Sequence, residues 1–202
     1  MHRSPIFDEV FLNKHPDLPN IFKKRYAHRP FSTDSCTLKG HAIIKVSWWM
    51  IILRPLLTLT GALLPKSGQD INVKVHMRSN PCNHSVHFER TFYYPKKIIQ
   101  RSSTWTPYKE SQVIEYMKFG FGWKMNYHYE NDTVHLYHDS YIWSFRQYMI
   151  TLPLHLLLGT PYAHEKAIDN NHLHFHLELN HPLFGQLFNF DAQFKLKQDS
   201  HE

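Results

Sequence analysis

Three histidines alternate with apolar residues near the carboxyl end of the chain: His172, His174 and His176. Glu178 follows at the same spacing. On a β-strand, successive side chains point to opposite faces, so the three imidazoles and the carboxylate would share one face. Imidazoles two residues apart on a strand can share a zinc ion. In a chain with 17 histidines the pattern equally describes the wet face of a strand, so zinc binding and solvent exposure both stay open.

An arginine and a glutamate form a second candidate site. Arg90 shares the parity of Phe88 and Phe92 in an alternating segment, which predicts that its side chain points inward. A buried guanidinium needs a partner, because an unpaired buried charge is strongly disfavoured. Glu115 is the candidate partner. The pair predicts either a structural ion pair or a site that orients a polar head group or takes part in acid–base chemistry.

A row of large apolar side chains is the third feature. Between residues 119 and 129, aromatic residues and a methionine occupy every second position, so on a strand they point to one side. Such a row can line a dry pocket for a hydrophobic ligand or simply fill a barrel. The candidate ligand-binding residues are Arg90 and Glu115, together with Phe119, Phe121, Trp123, Met125, Tyr127 and, further along the chain, Trp143.

The elements that must position these residues are mostly strands. From Asp70 onward, apolar and polar residues alternate with a period of two, which indicates antiparallel strands. We predict an α+β fold, mainly antiparallel β, with a curled sheet or incomplete β-barrel and an N-terminal helical segment packed on it. One domain over 1–202 is expected: a loop and helix arm (about 1–35), a short strand plus an apolar helix (36–69) and the antiparallel sheet (70–198).

The most apolar stretch is 46–64, whose 19 residues approach the ~20 that a membrane-spanning helix needs. Arg54 and Pro55 lie in its middle. A central arginine costs roughly 2.5–3.5 kcal/mol in a bilayer, and the proline removes a backbone hydrogen bond. We expect an amphipathic core helix under the sheet, with an interfacial membrane helix and a true span as the alternatives.

The composition excludes several classes of protein. At 42% hydrophobic and 15% aromatic residues the chain is not disordered, and 7 glycines leave no glycine-rich loop for nucleotide phosphates. The net charge of +6 comes from scattered basic residues, so nucleic-acid binding is not expected. No nucleophile elbow, Walker loop or zinc-protease motif is present, which favours a protein without catalytic activity.

The amino-terminal residues lack the charged start and apolar middle of a signal peptide. Two cysteines are too few for the dense disulfide framework of small secreted domains, so they are expected to be reduced thiols. We therefore expect a cytoplasmic protein, with peripheral contact to a membrane through residues 46–64 as an alternative.

Five segments in order carry a family resemblance: 40–44, the predicted helix over 53–64 with Pro65, 88–92, 152–154 and 181–190. They resemble a bacterial family catalogued as domain of unknown function 4166, over about Phe22 to Leu196. The chain departs from the family pattern at Phe88, where tryptophan is common. It departs again at Asp191 and Ala192, where a step containing glycine is usual, and this affects the bend of the last strand.

The resemblance implies an accessory or ligand-binding module, because members stand alone or follow a saccharopine-reductase-like or short-chain dehydrogenase-like domain. A dehydrogenase or reductase partner is thereby implied, but no catalytic residue. Our leading hypothesis is a module that holds a hydrophobic small molecule in an aromatic-lined cavity, without a cofactor. The alternatives are an enzyme that uses the three histidines or Arg90 with Glu115, and an adaptor for a membrane surface or another protein.

Overall fold

The computed structural model describes residues 4–11, 17–62 and 65–198. Within these ranges the helices are short: α1 (Asn20–Arg25), α2 (Trp48–Ile52), α3 (Arg54–Thr60) and α4 (His155–Leu158), with one 3₁₀ turn at Lys118–Gly120. The strands are β1 (Ser35–Val46), β2 (Gly68–Ser79), β3 (Val86–Tyr94), β4 (Lys97–Pro107), β5 (Gln112–Tyr116), β6 (Phe121–Glu130), β7 (Thr133–Phe145), β8 (Tyr148–Leu152), β9 (Thr160–Ala167), β10 (His172–His181) and β11 (Gly185–Gln198).

The strands form one antiparallel sheet that closes into a ten-stranded barrel. Strands β1 to β7 pair in chain order, β7 then pairs with β9, and β9, β10 and β11 lead back to β1. Strand β8 lies outside the ring and pairs with the end of β7. The prediction of a mainly antiparallel β fold is confirmed. The expectation of a curled sheet or incomplete barrel is wrong, because the β7–β9 and β11–β1 pairings close the ring and leave it no free edge.

The two ends of the barrel differ. We call one the plug end, because the amino-terminal segment fills it: Phe7, Phe11, Phe22 and Tyr26 are buried there. We call the other the lid end, because the β1–β2 connection with α2 and α3 lies across it, and Met50, Leu57 and Ala62 of this connection contribute to the core. The space between plug and lid is the interior of the barrel.

The apolar stretch 46–64 does not form one helix. Its helices α2 and α3 are separated at Leu53, which caps both of them. Pro55 explains the break, because it cannot donate to the preceding turn but is well suited to the first turn of a new helix. Gly61 ends α3 in the left-handed conformation (φ 76°), which glycine adopts without steric cost.

The prediction of a single core helix under the sheet is therefore wrong, since both helices lie at an end of the barrel. Each buries one side chain, Met50 or Leu57, and leaves others such as Trp48 and Leu59 exposed. Of the helices in the described ranges, none has the length and apolar character needed to cross a membrane.

Candidate ligand-binding cavity

The barrel interior contains a cavity of about 240 Å³. Its volume lies between the ~150 Å³ of an apolar cavity that binds benzene and the ~300 Å³ at which pockets for drug-sized ligands begin. The helices of the lid cover it with Met50 and Leu57. Its walls are mostly apolar side chains of the barrel strands, among them Val75, Phe92, Leu136, Leu173, Phe188 and Phe190.

An ion pair interrupts the apolar wall of the cavity. Arg90 forms an ion pair with Glu115, with 2.8 Å between Nη1 and Oε1, and both side chains line the cavity with 15% and 12% of their surface exposed. Ser103 lies between them: its hydroxyl accepts from Arg90 at 2.8 Å and donates to Glu115 at 2.7 Å. The structure thus brings the two residues together in the cavity. A guanidinium has five N–H donors, so Arg90 retains donors for a polar group of a ligand.

A second ion pair, which the sequence analysis did not anticipate, lies towards the plug end. Arg25 of α1 lines the cavity and donates to both oxygens of Glu165 on β9, at 2.8 and 2.5 Å. Tyr26 donates its hydroxyl to the same carboxylate at 2.9 Å. The side chains of Arg25 and Glu165 are 4% and 0% exposed. No local sequence pattern could predict this pair, because its members lie 140 positions apart in the chain.

The pKa values in this group follow from its burial and its charges. Burial alone lowers the pKa of the Arg25 guanidinium, but the attraction and hydrogen bonds of Glu165 outweigh it, and the net pKa is raised. Burial and the neighbouring Glu165 charge raise the pKa of the Tyr26 hydroxyl well above its ordinary value. Arg25 therefore stays charged, and Tyr26 stays a hydrogen-bond donor.

The model of the family described as Domain of unknown function (DUF4166) matches residues 18–194. The chain belongs to this family. The family resemblance that the sequence analysis based on five segments and their order along the chain is confirmed. A search of curated proteins finds no match.

Two solved structures match this DUF4166 protein with low TM-scores and low sequence identity. Rv2717c from M. tuberculosis has a TM-score of 0.44 and 10% sequence identity, over 83% of this chain and 94% of that one. The dehydratase domain from the CurF module of Curacin polyketide synthase has a TM-score of 0.18 and 10% identity, over 82% of this chain and 77% of that one.

The predicted aromatic row of this DUF4166 member divides between the cavity and the plug. Phe121 and Trp123 line the cavity. Met125 and Tyr127 are buried as well but do not line it. The ring of Tyr127 instead packs on the plug, with its centroid 6.3 Å from that of Phe7. The plug fills the half of the interior that Met125 and Tyr127 face, so these two residues cannot contact a molecule in the cavity.

The two remaining aromatic candidates lie at the lid end outside the cavity. Phe119 belongs to the 3₁₀ turn before β6 and is 69% exposed. The indole of Trp143 donates to the Phe119 carbonyl oxygen at 2.9 Å and stacks on Phe145. Neither ring is in a position to contact a molecule inside the barrel.

The three histidines of β10 lie on the outer face of the barrel, because the alternate residues Leu173 and Leu177 line the cavity. His172 pairs with Asp169 at 2.8 Å. His174 and His176 both approach one oxygen of Asp191, at 3.0 and 3.1 Å. Across residues 4–11, 17–62 and 65–198, no group of three or more His, Cys, Asp or Glu is arranged to hold a metal ion. Zinc binding at the three histidines stays a prediction.

Asp191 stands at one of the two positions where the chain departs from the family pattern. Burial raises the pKa of its carboxyl group, but the hydrogen bonds and charges of His174 and His176 outweigh this and lower it. The other departure, Phe88, stacks on Trp105 with the ring centroids 4.1 Å apart. Both substitutions are therefore accommodated by neighbours on adjacent strands.

Proposed function

We propose that this protein holds a small hydrophobic molecule in the interior of its barrel. The observation that carries the proposal is the cavity of about 240 Å³, whose walls are mostly apolar and where the carboxylates Glu115, in the wall, and Glu165, next to it, are each paired with an arginine. Protein interiors are normally close-packed, and side chains beside an empty space lose dispersion contacts. A hydrophobic ligand would restore these contacts.

The arrangement of plug and lid supports the same function. The plug is packed tightly, with the ring of Tyr26 in contact with the rings of Phe7 and Phe11. The lid consists of two short helices that meet at Leu53, and it covers the cavity with only a few side chains. We infer that a ligand enters past the lid, because α2 and α3 bury one side chain each, whereas four aromatic side chains of the plug are buried.

A neutral dye tests the proposal. N-phenyl-1-naphthylamine should fluoresce on entering the barrel, and its binding should raise the melting temperature of the protein by mass action. Leu136→Trp adds bulk at a buried side chain of the cavity wall and should abolish binding. Tyr137→Trp is the matched control, because the neighbouring Tyr137 is exposed on the same strand and should leave binding unchanged.

The smaller change Ala163→Leu serves as a second variant if Leu136→Trp does not fold, since Ala163 also lines the cavity. Circular dichroism establishes which variants are folded. Equal dye binding by the wild type and by folded cavity variants would refute an interior site. No dye binding by the wild type would equally contradict the proposal.

A second candidate function is contact with an anionic membrane surface, and the exposed side chains of the lid end favour it. Trp48, Leu59 and Leu156 are 62%, 64% and 69% exposed. Patches of this kind mark interaction sites. Arg54 on α3 and Lys118 in the neighbouring 3₁₀ turn add positive charge at the same end, which complements anionic lipids.

Sedimentation with vesicles tests this second function. Phosphatidylglycerol vesicles should bind the protein at low salt, and phosphatidylcholine vesicles should bind it less. The double change Trp48→Ser with Leu59→Ser should weaken binding. Ile168→Ser is the control, because Ile168 is exposed at the plug end. Equal binding by these two variants would count against the lid as the contact surface.

A further inference from the structure

Four cationic side chains lie close together where the lid approaches the turn between β3 and β4. Arg54 begins α3, Lys66 precedes β2, and Lys97 and Arg101 lie on β4. Tyr94, which is opposite Lys97 in the β3–β4 register, donates its hydroxyl to the Lys66 carbonyl oxygen at 2.5 Å. We call this group of four side chains the cationic mouth.

The other three charges are close enough to influence Lys97. Desolvation lowers the pKa of the Lys97 ammonium group, and so do the charges of Lys66, Arg54 and Arg101. Each of these three neighbours is positive. Placing like charges side by side is unfavourable, so the arrangement is one that a negative charge would stabilise.

The cationic mouth lacks a negative partner within the described part of the chain. No ion pair there involves any of its members, whereas Arg25, Arg90 and Lys124 each contact a carboxylate. The Nε atoms of Arg54 and Arg101 are shielded from solvent and have no hydrogen-bond partner among the described residues. A buried donor without a partner is costly, so a bound acceptor would stabilise both guanidinium groups.

Arg101 connects the cationic mouth to the cavity. It lies two residues before Ser103 on β4, so the two side chains share the inward parity, and both line the cavity. On the lid side, Leu56 and Leu57 of α3 follow closely after Arg54 and also line the cavity. A molecule with one charged and one apolar end would therefore meet matching surroundings at both ends.

We propose that the cationic mouth binds the anionic head group of an amphiphile whose apolar tail occupies the cavity. The proposal rests on the proposed function, since it gives the chemical class of the molecule in the barrel. Carboxylate and phosphate are the anions that a guanidinium fork binds with two parallel hydrogen bonds. An anion without a tail would satisfy the charges but leave the apolar cavity empty.

A series of ligands that share the same eight-carbon tail and differ in the head group tests the proposal. Octanoate and octyl phosphate, titrated calorimetrically at low salt, should bind at least roughly ten times more tightly than octan-1-ol. The difference should shrink as sodium chloride is added, because salt screens the charges. The tighter of the two anions identifies the head as carboxylate or phosphate. Inorganic phosphate should bind more weakly than octyl phosphate.

The failures of the two proposals are distinguishable in this experiment. Equal affinity for octan-1-ol and octanoate would overturn the cationic mouth and leave the hydrophobic site standing. Inorganic phosphate that binds as tightly as octyl phosphate would also overturn it, because the tail would then contribute nothing. Binding of neither the alcohol, the anions nor the neutral dye would overturn the proposed function itself.

Variants locate the head group. The double change Lys97→Gln with Arg101→Gln should weaken octanoate binding roughly tenfold and leave octan-1-ol unchanged. Lys197→Gln removes a charge from an exposed position of β11 and should change neither affinity. The double variant should melt no lower than the wild type, because it relieves repulsion. Unchanged octanoate binding by the folded double variant would overturn the proposal.

Discussion

Arg25 and Glu165 form a bidentate ion pair inside the barrel, although they lie 140 positions apart in the chain. Arg25 belongs to the plug and Glu165 to the wall, so the pair attaches one to the other. Both side chains are buried, and Tyr26 donates a further hydrogen bond to the carboxylate. The position of the plug in the barrel thus depends on a charged contact as well as on aromatic packing.

Glu165→Gln should destabilise the protein by about 3–5 kcal/mol, because it leaves the Arg25 charge buried without its counter-charge. Urea unfolding followed by tryptophan fluorescence measures the loss. The double change Arg25→Met with Glu165→Leu should recover part of it, since it removes both charges. A single variant that unfolds at the same urea concentration as the wild type would show that the pair does not stabilise the plug.

Glu115→Gln should change ligand affinity and also lower stability, because it leaves Arg90 without its counter-charge in the cavity wall. Glu115 neutralises Arg90 in the cavity wall, and Ser103 can still hydrogen-bond to both side chains after the change. The uncompensated Arg90 charge should strengthen octanoate binding several-fold and leave octan-1-ol binding unchanged. Calorimetric titration of both ligands measures the difference. Weaker octanoate binding would mean that the carboxylate itself contacts the ligand.

Stability should depend on pH between about 6.5 and 4, because burial lowers the pKa of His28 and of His138 to about 4. In this window the unfolded chain binds more protons than the folded one, so stability is complete above the window and is lost as the pH falls through it. For His28 alone, the loss between pH 7 and pH 5 should be about 2 kcal/mol. Guanidinium unfolding at the two pH values measures it.

The variant His28→Asn should reduce this pH dependence by the share that His28 contributes. His84→Asn is the control, because His84 is exposed. Asp139 and Asp191 do not confuse the measurement: the pKa of each is held below the ordinary value of 3.8, so their protonation falls below the window. An identical loss of stability in His28→Asn and the wild type would refute the assignment.

The sequence predicted those parts of the fold that depend on local alternation. The parity of β10 placed Leu173 and Leu177 inside and His174 outside. Closure could not be predicted, because it rests on the pairing of β7 with β9 and of β11 with β1, and no local pattern encodes either. The sequence analysis did not predict the plug either, because its packing inside the barrel also depends on contacts between distant segments.

The candidate site shows the same division. Arg90 and Glu115 lie 25 positions apart on strands whose parity can be read, so their pairing was a natural hypothesis. The cationic mouth combines Arg54 and Lys66 from the lid with Lys97 and Arg101 from β4. In the sequence these residues are scattered, and only the fold of the β1–β2 connection over the end of β4 brings them together.

The lid can be disturbed at Gly61, which lines the cavity and ends α3 with a φ of 76°. A β-carbon there would lie 2.8 Å from Cγ of Lys118, closer than atoms normally approach. Gly61→Ala should therefore cost about 1–2 kcal/mol for the left-handed backbone, and more for this contact. It should also accelerate dissociation of the neutral dye, because α3 covers the cavity. Stopped-flow fluorescence measures that rate.

Gly185→Ala is the matched control for Gly61→Ala. Gly185 also has a positive φ, 66°, but a β-carbon there would meet no atom within 4 Å. The control should lose about the same backbone energy and leave the dissociation rate of the dye unchanged, because Gly185 does not line the cavity. Equal acceleration in both variants would mean that general loss of stability opens the barrel. Acceleration in Gly61→Ala alone would identify α3 as the element that the ligand must pass.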